Sequence, residues 1–135
     1  FRDDLDIIWT SVSKYFLVNE GRNFYDATLA KVKVLSKEFI ADPQNKYLSE
    51  PQSQVKFTAL VDSRLTAVEA TLVRMFNKPA YFGKPTEMIS WGLTNKAYQD
   101  ILKLVPSVEV KKTAWDSFTS AIAKVMGISD NDRSA

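Results

Sequence analysis

Apolar residues recur along this chain at spacings of three and four, the repeat of a helix that buries one face. Leu5, Ile8, Val12 and Tyr15 keep that rhythm and predict a first helix near residues 3–18, and Asn19-Glu20-Gly21 then reads as a turn. A second helix is predicted from Asn23, a good N-cap residue, with Asp26 three positions on to favour the exposed amides. Its buried stripe is Phe24, Thr28, Val32, Leu35 and Phe39, and Asp42-Pro43 stops it. Residues 43–53 are polar and proline-containing, as a loop would be, and the alternation in Gln54-Val55-Lys56-Phe57 predicts a short extended segment. Asp62 suits the N-cap of a third helix, with Leu65, Val68, Leu72 and Met75 on one face and Pro79 at its end. Thr86, after Pro85, caps a predicted fourth helix with Ile89, Leu93, Ala97, Ile101 and Leu104 inward. Gly92 within it either weakens that helix or permits close packing. Pro106-Ser107 opens a predicted fifth helix with Ala114, Phe118, Ala121 and Val125 inward, closed by Gly127.

Five amphipathic helices with short connections predict an all-α bundle: one domain over residues 1–128, then a polar tail at 129–135. At 135 residues the chain is long enough to bury about two-thirds of its unfolded surface, so neither a disulfide nor a metal is needed for folding. No apolar run is long enough to span a bilayer and no signal-peptide pattern is present, so a soluble protein with no membrane partner is expected.

Composition narrows the chemistry. The chain has no histidine and no cysteine. Zinc and other transition-metal sites draw on imidazole or thiolate, so no metal or cofactor is expected. Ser-His-Asp and Cys-His catalysis are excluded on the same ground. Asp3, Asp4 and Asp6 head the first helix, where acidic side chains interact favourably with the helix dipole. The other acids are scattered singly, and no pair stands out as general acid and base. A non-enzymatic protein is therefore expected, with no catalytic residue.

Net charge is +2 but unevenly spread. Residues 1–50 balance at −1, whereas residues 71–112 carry seven basic and three acidic side chains, a balance of +4. Within that region, Asn77-Lys78-Pro79-Ala80-Tyr81-Phe82-Gly83-Lys84-Pro85 joins the third and fourth predicted helices. Lys78 and Lys84 can pair with phosphates, and Tyr81 and Phe82 offer rings on which unpaired bases stack. Arg74, one turn earlier, and Lys96, in the following helix, extend the basic lining. The alternative is a solvated connector whose aromatics fold back onto the bundle end. Lys111 and Lys112 read as a solvated helix face. Trp9, Trp91 and Trp115 sit beside apolar stripes, either finishing a core edge or anchoring an interface.

The order short helix, longer helix, extended Gln54-Val55-Lys56-Phe57 and paired helix-loop-helix resembles coat proteins of rod-shaped plant RNA viruses, the tobacco mosaic and tobacco rattle (virgavirus-like) type. The local likeness lies in Val55-Lys56-Phe57 through Leu60-Val61-Asp62-Ser63-Arg64, running into the apolar helix that ends at Phe76. A second stretch runs from Asn95-Lys96-Ala97-Tyr98-Gln99-Asp100-Ile101-Leu102 to Trp115 and Lys124-Val125-Met126-Gly127-Ile128. The resemblance implies an antiparallel four-helix bundle core with an additional closing helix. It also implies a capsid protein that polymerises with itself into a helical rod around single-stranded RNA, found in the virion and, during assembly, in the host cytoplasm. RNA contacts would fall on Arg74, Lys78, Lys84 and Lys96, with Tyr81 and Phe82 between them. The arginine-rich run that family members place after this helix is here only Lys78 and Lys84. The alternative expectation is a helical-bundle domain that docks a protein partner.

Overall fold

The structure, a computed structural model, describes residues 1–127; residue 128 and the tail at 129–135 lie outside the described residues. Among the described residues the regular elements are eight α-helices and one 3-10 turn, so the chain is all-helical as its periodicity predicts. None of these helices is long and apolar enough to cross a membrane.

Helix α1 (Arg2–Leu17) buries Leu5, Ile8, Val12 and Phe16, with Asp3 and Asp4 in its first turn. The turn after it requires a glycine: a Cβ on Gly21 would lie 2.7 Å from the Phe16 ring and 2.9 Å from the Tyr15 ring. Helix α2 (Arg22–Ala41) therefore starts from Gly21 as N-cap, and Asn23 falls inside its first turn without capping it. Phe24, expected inside, is exposed, while Thr28 and Leu35 are buried.

The 3-10 turn Pro43–Asn45, capped by Asp42, leads into α3 (Glu50–Arg64). This helix occupies the stretch expected to be extended. Its cause is a capping box in which Ser49 accepts from the Gln52 amide while Gln52 Oε1 accepts from the Ser49 amide. Pro51 in the first turn reinforces it, and the apolar positions Phe57, Leu60 and Val61 then follow helical spacing. Asp62 consequently lies in the last turn of α3 and caps nothing; Thr66 and Glu69 form the capping box of α4 (Ala67–Asn77) instead. Of its predicted inner face, Leu72 and Met75 are buried and Val68 is half-buried, whereas the buried Leu65 lies before the helix, at the end of α3, and packs in a different cluster.

One turn of helix, α5 (Pro79–Phe82), connects α4 to α6 (Pro85–Thr94). The predicted fourth helix is broken at Asn95, whose extended backbone and side-chain acceptor for the Tyr98 amide start α7 (Lys96–Leu104). The break resets the helical phase, which turns Leu93 and Leu104 outward and leaves Ala97 and Ile101 buried.

The last predicted helix begins later than Pro106. Residues 105–114 form a tight hairpin in which the Ser107 amide donates to the Lys112 carbonyl at 2.8 Å and the Ala114 amide to the Val105 carbonyl at 2.7 Å. Val108 and Val110 lie in its bend and turn, and both are exposed. Thr113 and Asp116 then form a third capping box that opens α8 (Ala114–Met126). Ala114, Phe118 and Ala121 are buried as predicted, Val125 is exposed, and Gly127 ends the helix with a left-handed φ of 72°.

Packing runs from α1 to α2, α4, α7, α8 and back to α1, with α6 against α1 and α7. The main core gathers Leu5, Ile8, Val12, Phe16, Leu72, Met75, Tyr98, Ile101, Leu102 and Phe118. Phe76 joins three elements there, its ring centroid 5.9 Å from Trp9, 6.2 Å from Phe16 and 5.2 Å from Tyr25. Gly92 permits close packing: a Cβ there would stand 2.3 Å from Phe118 Cζ. A second, smaller cluster of Leu35, Leu65 and Ala70 joins α2, α3 and the start of α4.

Candidate nucleic-acid interface

The α4–α5–α6 connector is built by its prolines. Pro79 and Pro85 each stand in a first helical turn, where a missing amide hydrogen costs nothing, so the chain makes two abrupt turns within seven residues. Gly83 fits between them because a side chain would collide with the Pro79 carbonyl at 2.9 Å and Trp9 Nε1 at 3.1 Å. The connector is thereby held against α1 by Trp9.

Phe82 and Tyr81 divide between the two predicted alternatives. Phe82 is only 4% exposed and packs on Trp91, with ring centroids 5.1 Å apart. It is a core residue and offers no free face to a base, which corrects its place among the candidate contacts. Tyr81 remains 43% exposed, edge-on to Phe82 at 5.1 Å. The neighbouring Glu87 carboxylate, foremost, raises the phenol pKa, burial adds to the rise, and the Trp91 indole opposes it. Glu87 and Trp91 are thus its neighbours. Neither was a predicted site residue, although Glu87 stands six residues after Tyr81 in the next helix.

The four cations also divide. Arg74 Nη2 donates to Asp62 Oδ2 at 2.8 Å, and Lys96 Nζ to Asp100 Oδ1 at 2.5 Å. Both pairs are solvent-exposed and therefore weak, but each cation already has a carboxylate of its own chain beside it. Arg74 and Lys96 both line one shallow hollow of about 370 Å³, with Asp62, Thr71 and Asn95. Lys78 and Lys84 are different. Both are exposed, and among the described residues neither ammonium has a hydrogen-bond or ion-pair partner. They flank Tyr81, so the structure leaves Lys78, Tyr81 and Lys84 as the accessible group on this connector.

The remaining sequence candidates are accounted for by the fold. Lys111 and Lys112 lie on the hairpin and not on a helix, Lys112 paired with Glu109 at 3.0 Å and Lys111 at a left-handed φ of 64°. Trp9, Trp91 and Trp115 are half-buried at the edge of the main core, and Lys103 Nζ lies 5.4 Å from the Trp115 ring centroid. No protein-family model, curated protein or solved structure matches this chain.

Proposed function

We propose that the chain is a structural, non-enzymatic coat subunit that packs with copies of itself into a helical rod and holds single-stranded RNA by its phosphates. The observation that carries this reading is the trio Lys78, Tyr81 and Lys84: two exposed lysines without a carboxylate partner, three residues before and three after an exposed aromatic ring. Two lysines supply phosphate contacts that carry no base information, and a tyrosine face accepts any base. Affinity per subunit would be small, and repetition along the strand would supply the rest. Arg74 and Lys96 would join only by exchanging Asp62 and Asp100 for phosphate. On this reading α1, α2, α4 and the α6–α7 pair stand for the antiparallel four-helix core, α8 closes it, and the protein resides in the virion and, while assembling, in the host cytoplasm. A contact between copies that does not close on itself generates such a rod.

Negative-stain microscopy of the protein with single-stranded RNA at low salt tests assembly, and rods are expected. Dispersed particles across pH and salt overturn the reading. In RNA titrations the Lys78→Ala, Lys84→Ala pair is expected to lower the salt slope by about 1.4, from two lost single-strand phosphate contacts. An unchanged slope removes this connector as the RNA surface.

A second reading, a helical domain that docks a protein partner, is favoured by a separate observation. Ile40, Tyr47 and Val55 are all exposed on α2, α3 and the segment between them. Strictly monomeric behaviour with no RNA affinity would select it.

A further inference from the structure

Of the polar side chains buried among the described residues, Thr28 donates to the Phe24 carbonyl at 2.9 Å and Glu69 accepts from Lys31 at 2.6 Å. Thr71, in the second turn of α4, is different. It is only 6% exposed, and its hydroxyl has no hydrogen-bond partner among the described residues. A sealed, unpartnered hydroxyl would destabilise the fold. No side-chain oxygen or nitrogen closed off from solvent lacks a partner, however, so this hydroxyl keeps an opening. Thr71 lines the hollow of about 370 Å³ between α4 and the start of α7.

The groups around that opening are donors. One wall is the start of α7, where the Asn95 oxygen caps the Tyr98 amide and the Lys96 and Ala97 amides have no carbonyl to bond, as the first amides of a helix do not. On the rim stand Arg74, with N–H groups beyond the one that meets Asp62, and Lys96, with protons beyond the one that meets Asp100. Asp62 is the acid of the lining, and Asp100 is not part of it. We infer that this hollow is a site for a phosphoryl group, carried by free phosphate or by a nucleic-acid backbone. Donors on floor, wall and rim suit the several oxygens of a tetrahedral anion, and the dipole of α7 favours its charge. The buried Thr71 hydroxyl supplies what a helix end alone does not: a fixed donor that nothing in the chain satisfies. Entry of the anion displaces Asp62 from Arg74, an exposed pair that contributes little. Lys78, Tyr81 and Lys84 do not line this hollow, so the site goes beyond the connector and stands without the coat reading.

Orthophosphate titrated into the RNA-free chain at neutral pH, with ionic strength held constant by chloride, is expected to shift the amide resonances of Thr71, Lys96 and Ala97 saturably. Thr71→Val, which deletes a hydroxyl that bonds to nothing and so leaves the fold intact, should weaken binding about fivefold, whereas Thr71→Ser should bind as the parent does. Asp62→Asn should tighten it up to about fivefold by releasing Arg74. No saturable shift, an equal shift with chloride, equal loss in Thr71→Val and Thr71→Ser, or weaker binding in Asp62→Asn overturns the inference. A short single-stranded oligonucleotide without a terminal phosphate separates the two sources. If it moves the same amides and orthophosphate competes with it, the group is carried by a strand; if orthophosphate alone moves them, it is free phosphate. In the Lys78→Ala, Lys84→Ala pair the orthophosphate response should persist while the RNA salt slope falls, so failure of this site and failure of the connector are read separately.

Discussion

The two apolar clusters of this molecule are finished to different degrees. Around Phe118, elements from both ends of the chain converge, and a single methyl group on Gly92 would not fit. In the arm formed by α2 and α3, the Phe39 and Phe57 rings meet at 5.5 Å, but α3 buries no residue completely. One region is complete in the monomer. The other has apolar surface left over, Ile40, Tyr47 and Val55 among it.

The largest expected effect tests the core. Phe118→Ala should cost about 3–5 kcal/mol, enough to unfold a marginal domain, whereas Phe57→Ala in the arm should cost less than half of that in denaturant titrations. Equal costs would erase the distinction. Gly92→Ala should cost about 1–3 kcal/mol, because the Phe118 ring it strikes is buried and has nowhere to move.

Glu69 sharpens the comparison because it ties the arm to the core. Only 5% exposed, it caps α4 and accepts from Lys31 of α2. Those hydrogen bonds, that from Lys31 foremost and that from the Thr66 amide next, hold its pKa below the ordinary 4.5 against the opposing effect of burial. A lowered carboxylate pKa contributes stability that is fully present above the unfolded value. It is lost as pH falls through the folded one. Glu69→Gln should therefore cost roughly 1 kcal/mol at neutral pH, discounted for the exposed Lys31, and progressively less as pH drops below about 4.5. Parallel pH–stability curves for parent and variant would refute it. The smallest effect is expected at the hairpin: Lys111→Gly should raise the melting temperature slightly, worth up to about 1 kcal/mol, by relieving a left-handed backbone.

Much of the core was legible in the sequence, and the reasons for the misses are local. The stripes of α1, α4 and α8 could be read because their apolar residues repeat without interruption. Helix α3 was hidden because prolines flank and enter it, while its start signal, Ser49 with Gln52, is a pairing of two side chains across one turn. The break at Asn95 left no mark in the apolar spacing, since Leu93, Ala97 and Ile101 continue the pattern through it. At the connector, composition could name the residue types but could not tell which of two adjacent rings turns inward. That is decided by Trp91, nine residues beyond Phe82 and on another helix.

The packing of α1 directly on α8 has a consequence for how the chain is made. Part of the cover of Leu5, Ile8 and Val12 is synthesised more than one hundred residues after them, with Phe118 and Ala121. A nascent chain stopped before Ala114 should hold helices without a closed core, and should bind chaperones or be cleaved where the completed chain resists. Helix α8 is made long after α1 and locks it.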